Sequence, residues 1–386
     1  MLRKFVYKTL LSGTSHAPGF NDKNTYKTKA FQSRDEVMDL LYALTYSKKP
    51  LISERNIKIV VLPKGDNLTA THIENFFERV GLEDASQAVA SLNAANGKID
   101  EANLLDTLFE PPLARAAESI TQYDFVFSKK GGSASTPDVD MIELSGVERS
   151  FLAQLSERVK EIREPLRAER DALVPKRPKQ FAFLDIRKSF LNILGDVTTD
   201  KKKYQSHLFK VLPQIYSGTY HHDGVLLPAF IEKTEYNIRN GTPDFNLLKY
   251  DYFFLARLRN TNGDDPMDDM KNSKSYQGGL LLGRMAQPLD RKIASFEKNY
   301  VGLLSRRISD KQGLLKFANF INEKLAIHDV AYPNLKQASV ELAGLVADMS
   351  DREYRKNYCA FGFFESYFGR YSDGAKSDTQ ANDNNQ

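Results

Sequence analysis

Residues 56–63 read Asn-Ile-Lys-Ile-Val-Val-Leu-Pro and continue as Lys-Gly-Asp, a β-branched run closed by turn residues. That pattern predicts a buried strand followed by a turn. Beyond it Ile73, Phe76, Phe77 and Val80 recur near helical spacing, with Thr69 or Thr71 to cap the helix and Gly81 to stop it. Two further strands are expected at 123–128 and 138–144, joined by the flexible basic tip Lys129-Lys130-Gly131-Gly132-Ser133-Ala134-Ser135-Thr136-Pro137. After Gly146 the pattern becomes helical: Val147, Phe151, Leu155 and Val159 share one face of a helix over 147–170, which Pro165 is expected to bend or break. The linker Pro-Lys-Arg-Pro at 175–178 precedes helices expected at 181–194, 207–216, 230–239 and 245–259. A polar, acidic loop at 260–273 then reads as a domain boundary, and helices follow at 276–285, 291–304, 313–325, 335–348 and 352–368.

These periods predict an α+β chain, with a mixed or antiparallel sheet and helices at 1–175, a helical middle at 176–269, and a C-terminal helical bundle at 270–371. The small, polar residues 372–386 read as a disordered tail. No internal repeat interrupts this order. A length of 386 residues suits two or three domains, and 41% hydrophobic with 11% aromatic residues is enough to bury a sizeable core. The single cysteine, Cys359, excludes an internal disulfide and any cysteine-rich zinc or iron–sulfur site. The apolar stretch within 1–11 is too short and interrupted for a signal peptide, and no uncharged run reaches about 18 residues, so a soluble, cytoplasmic protein without a membrane partner is expected.

The net charge of +4 says little, but its distribution is uneven. Over residues 1–64 twelve bases face five acids, the sign reverses through 65–146, and over 270–324 eleven bases face four acids. Such segregation suits a protein that meets a polyanion on some faces and protein neighbours on others. The clusters that can contact phosphate are Lys129 and Lys130 before the glycine loop, Lys201-Lys202-Lys203 before Tyr204, Arg306-Arg307 downstream of Arg291, Phe296 and Tyr300, and Arg284 within the basic segment. Gly131, Gly132 and Ser133 are small enough to let backbone approach a groove. Each cluster is equally an ordinary solvated face or surface loop.

Support for catalysis is thin. Asp138, Asp140 and Glu143 put three carboxylates beside a strand, as a Mg²⁺-dependent nuclease would need, but alternation sends Glu143 to the other face and no lysine follows at short spacing. His221, His222 and Asp223 read as turn material rather than a metal site, because adjacent side chains rarely converge on one ion. Ser12, Ser15 and His16 lack a nucleophile elbow, and no phosphate-binding Gly-x-x-x-x-Gly-Lys loop exists; Gly278-Gly279 opens an apolar helix instead. Neither a cofactor nor a metal is expected.

Several stretches resemble the large subunit of a type I CRISPR Cascade, closest to the type I-B kind. They are Asn56-Ile-Lys-Ile-Val-Val-Leu-Pro-Lys-Gly-Asp-Asn-Leu, Tyr123-Asp-Phe-Val-Phe-Ser with Val139-Asp-Met-Ile-Glu-Leu-Ser-Gly-Val-Glu-Arg-Ser, Leu212-Pro-Gln-Ile-Tyr-Ser-Gly-Thr-Tyr, Leu281-Leu-Gly-Arg-Met-Ala, Ser295-Phe-Glu-Lys-Asn-Tyr and Phe361-Gly-Phe-Phe-Glu-Ser-Tyr-Phe. The resemblance implies a non-catalytic subunit that recognises the protospacer-adjacent motif, helps open target DNA and holds the displaced strand. Its implied partners are the guide-RNA complex with backbone, foot and small subunits, a helicase-nuclease that cuts, and double-stranded target DNA. Under it, Lys129, Lys130, Gly131, Gly132 and Ser133 are expected to read the motif. Lys201, Lys202, Lys203, Arg284, Arg291, Arg306 and Arg307 are expected to hold the strand. Two features depart from the family: the chain is short for this kind, and a zinc finger cannot form with Cys359 alone. The bundle after residue 260 resembles the small subunit, which an internal start at Met267, Met270 or Met285 can supply. The rival readings are a metal-dependent nuclease using Asp138, Asp140 and Glu143, and a structural interaction protein that binds no nucleic acid.

Overall fold

A computed structural model describes residues 52–54, 57–69, 71–72, 120–129, 139–178, 181, 184–195, 202–259, 265 and 267–369. It is α+β, with an antiparallel sheet early in the chain and helices thereafter. The described residues fall into two compact units, one drawn from Met1–Arg158 and Gln205–Thr219, the other from Val159–Tyr204 and Tyr220–Gln386.

In the first unit β1 (Ile52–Glu54), β2 (Ile57–Lys64), β3 (Gln122–Lys129) and β4 (Val139–Glu148) form an antiparallel sheet in the order β1-β2-β3-β4. Register pairs Ile59 with Phe127 and Val61 with Phe125, and all four side chains are buried. Burial of this alternating set helps to fix register, since a one-residue slip would move all four side chains to the other face. Phe125 stacks on Tyr216 at 5.1 Å, so the helix carrying Tyr216 covers this face. A register shift between Tyr123 and Phe125 accompanies Gly146, whose φ of 68° lies in the left-handed region. The Gly146 amide donates to Asp124 Oδ1 at 2.7 Å, and Lys64 pairs with the same carboxylate at 3.1 Å. A glycine is what this bulge requires.

Strands β2, β3 and β4 fall on the apolar runs read from sequence, β2 shifted by one residue, β3 longer by one residue at each end and β4 running four residues further, whereas β1 is not among the expected strands. Thr69 Oγ1 accepts from the His72 amide at 3.3 Å, the geometry of a helix cap. Ile73, Phe76, Phe77, Val80 and Gly81 lie outside the described residues, as do Ser12, Ser15, His16 and the tail 372–386.

Helix α1 (Arg149–Leu173) runs through Pro165 without ending, so of the expected bend or break the break does not occur, and Val147, expected on the helix, belongs to β4. The helix is long enough, and anchored by buried Leu155, Val159 and Leu166 on both sides, to carry one missing amide. Then come α2 (Ile186–Leu194), capped by Asp185 through the Lys188 amide at 2.6 Å, and α3 (Lys202–Tyr216). The second unit continues with α4 (Leu226–Arg239), α5 (Phe245–Arg257), α6 (Asp268–Lys271) and α7 (Lys274–Ala286). The expected helix at 291–304 is instead a turn, the short α8 (Phe296–Asn299), a 3-10 turn (Val301–Leu303) and the short α9 (Leu304–Arg307). Ser295 at φ 57° breaks the run. Gly302 then sits so close to α4 that a β-carbon there would lie 2.7 Å from Arg239 Cγ. The last helices are α10 (Lys311–Ile327), α11 (Pro333–Ala347) and α12 (Lys356–Gly369).

The core of this unit is aromatic. Phe361 of α12 meets Phe230 of α4 at 5.3 Å, Phe245 of α5 at 5.8 Å and Tyr252 of α5 at 5.5 Å. Residues on both sides of position 270 therefore build one core, and buried Met267 and Met270 lie within the stretch read as a boundary loop. Helices α7 and α12 touch backbone to backbone: β-carbons at Gly279 and Gly362 would stand 2.0 Å from the Cys359 carbonyl oxygen and 2.2 Å from that of Tyr276. Among the described residues no helix is long and apolar enough to cross a membrane.

Candidate nucleic-acid interface

The basic segment after α7 is held against the C-terminal half of α4 by buried polar contacts. Glu235, buried on α4, accepts from both the backbone amide of Ser305, at 2.5 Å, and its hydroxyl. Burial raises the Glu235 carboxyl above its ordinary range, and the Ser305 donors and the charges of Arg239 and Arg306 oppose that rise. Arg239 closes the joint by donating to the Gly302 carbonyl at 2.9 Å.

This anchoring sorts the expected strand-holding residues. Arg291 and Arg306 are exposed, as are Lys292 and Lys298 beside them. Arg284, in the last turn of α7, is exposed as well. Arg284, Arg291, Lys292 and Lys298 have no ion pair among the described residues. Arg307 differs. Its guanidinium lies 4.7 Å from the ring centre of Tyr300 and 5.5 Å from that of Phe317, and it donates to the Asn299 carbonyl at 3.3 Å. Phe296 is fully buried, and Tyr300 is sandwiched between it, at 5.1 Å, and Phe320, at 4.9 Å. The rings expected to stack on bases thus stack on one another.

A cleft of about 490 Å³ lies where α4 ends. Arg239, Asn240, Gly241, Asp290, Glu297 and Lys298 line it. α4 stops here because Gly241, at φ 73°, donates to the Ile238 carbonyl at 3.1 Å while Thr242 donates to that of Asn237 at 3.0 Å, a glycine-terminated helix end. Burial, with a smaller contribution from the negative charge of Asp290, pushes the Glu297 carboxyl up to about 6. Two carboxylates, Asp290 and Glu297, thus share the cleft with the cations Arg239 and Lys298.

No family model matches this chain, and no curated protein matches it significantly.

Other expected residues are placed only in part. Lys129 ends β3, opposite Val139 of β4, so the two strands meet as a hairpin, but Lys130, Gly131, Gly132 and Ser133 lie outside the described residues. Lys201 does too, and Lys202 and Lys203 open α3. Of the three carboxylates near β4, Asp138 lies outside; Asp140 and Glu143 belong to the strand at positions of opposite parity, and Glu143 accepts from the Ser145 hydroxyl at 2.8 Å. Asp223 is used locally, accepting from the Tyr220 hydroxyl at 2.9 Å and the amides of Val225 and Leu226 at 2.9 and 3.0 Å. In the sequence Asp290 and Lys292 stand out only as charges, Glu297 and Lys298 as charges and as part of a resembling stretch, and Arg239 and Asn240 not at all. No local pattern marks them, because α4 lies about fifty residues upstream of its partners in the cleft.

Proposed function

We propose that this chain is the large, non-catalytic subunit of an RNA-guided CRISPR Cascade complex, acting in the cytoplasm to recognise the protospacer-adjacent motif, help open target DNA and hold the displaced strand. The sequence resemblance supplies this reading. The observation that supports its nucleic-acid part is the set of exposed cations Arg291, Lys292, Lys298 and Arg306 on a segment fixed to α4 by Glu235 and Gly302, with exposed Arg284 before it in the last turn of α7. Cations left facing solvent attract phosphates and release counterions on contact, giving binding that is independent of sequence and falls with salt. Motif reading stays with Lys129 to Ser133 in this proposal, and guide pairing does the rest.

The test is to titrate labelled single- and double-stranded DNA with the purified chain, alone and with the partner subunits, across a salt series. Affinity is expected to fall with salt for every sequence, and Arg291→Glu with Arg306→Glu to weaken binding and flatten the salt slope. Absence of salt-dependent binding in both settings would return the chain to a purely structural role.

A further inference from the structure

The cleft at the end of α4 carries an apparent contradiction, two carboxylates facing a surface otherwise built to meet phosphate. Glu297 has no hydrogen bond to a described residue, and Asp290 raises its proton affinity further by repulsion. The C-terminal end of α4 adds its own partial negative charge to the same wall. Arg239 also lines the cleft, but its guanidinium is tied to the Gly302 carbonyl, so the two carboxylates offer acceptors to hydrogen-bond donors while Asn240 presents an amide that both donates and accepts. The surrounding cations have the opposite character: Lys298 stands on the rim, and Arg291 and Lys292 follow Asp290 directly in the chain. In nucleic-acid recognition phosphate contacts position the strand and base edges are read by polar groups, with carboxylates accepting from amino groups. A volume of about 490 Å³ is within the range of small-ligand clefts and leaves room for one base.

We propose that this cleft receives one unstacked base of a single strand held along Arg291, Lys292, Lys298 and Arg306, and that Asp290 and Glu297 accept hydrogen bonds from its amino edge. The ligand class is a nucleobase with an exocyclic amine, so cytosine is held better than thymine, which offers a carbonyl at the same position. The inference rests on the nucleic-acid reading above and adds to it a base preference outside the motif-reading loop.

The experiment compares binding of the full chain to oligo-dC and oligo-dT of equal length at several salt concentrations, by fluorescence anisotropy, with EDTA and then with Mg²⁺. Wild type is expected to prefer oligo-dC by roughly tenfold, in line with one good base-edge contact. Asp290→Asn and Glu297→Gln, checked by thermal melting for retained fold, are each expected to erase most of that preference without weakening oligo-dT. Equal binding of both strands with the salt dependence intact would overturn the base site and leave the strand-holding surface standing. No binding of either strand at low salt would remove both. A preference that survives both substitutions, or that appears only with Mg²⁺, would overturn the proposal in favour of a reader elsewhere or of a cation site.

Discussion

Arg307 stacks against Tyr300 and Phe317 inside the bundle, whereas its neighbour Arg306 faces solvent. The two should therefore separate cleanly on substitution. Arg307→Ala is expected to lower stability by about 1 kcal/mol, the usual worth of a partly desolvated cation–π contact. Arg306→Ala is expected to change stability by less than about 0.5 kcal/mol, as for ordinary surface positions, yet to weaken DNA binding. Denaturant melts and anisotropy on both variants check this, and a reversed pattern would show that the stacked guanidinium is the one reaching phosphate. Asp251 is a different kind of residue-scale feature. Fully buried on α5, it accepts from Ser189 at 2.6 Å and Asn192 at 3.1 Å, and burial pushes its carboxyl up to about 7 against the restraint of Arg170. A raised pKa means that the folded state holds the proton more tightly than the unfolded chain does. Stability from this group is thus full below about pH 4, near the unfolded value, and is lost as pH rises through about 7. Asp251→Asn is expected to flatten the fall in melting temperature between these limits; an unchanged slope would mean that the carboxyl titrates normally.

The contact of α7 with α12 depends on glycines that sequence reading took for the opening of an apolar helix. Adding a β-carbon at Gly279 would drive it into the Cys359 carbonyl, and backbone on both sides leaves little to yield. Gly279→Ala should cost about 1 to 3 kcal/mol from overpacking, despite the helix propensity it gains. Gly344 on α11 is the control, since nothing lies within 4 Å of a β-carbon there. Gly344→Ala should stabilise by about 0.4 to 1 kcal/mol, by restricting the unfolded chain. Equal effects at the two sites, read by chemical denaturation, would show that α7 and α12 are not in backbone contact. Residues 291–304 have apolar positions at roughly helical spacing, but Ser295 and the close approach of Gly302 to α4 serve a tertiary joint that local periodicity does not encode.

In the second unit the aromatic core joins α4, α5 and α12, so a chain cut at 270 leaves Phe361 without Phe230, Phe245 and Tyr252. Residues 270–371 alone are expected to bind a hydrophobic dye and to melt without a sharp transition, while residues 159–371 melt cooperatively. Calorimetry on the two fragments decides it, and a cooperative melt of the shorter one would show that its own packing suffices. The sequence by itself determined the α+β class, the three longer described strands and most helices, because those elements bury one face and burial writes a period of two or 3.6 into the chain. It also located the basic segment, since charge counts need no fold. What it left open was which cations face outward. Arg306 and Arg307 are identical in type and adjacent in position, and only the packing of Tyr300 and Phe317 assigns one to the bundle and the other to solvent. The cleft belonged wholly to the tertiary structure. Arg239 and Asn240 meet Asp290 and Glu297 because Glu235 and Gly302 hold distant segments together, and contacts between residues far apart in the chain leave no local periodicity behind.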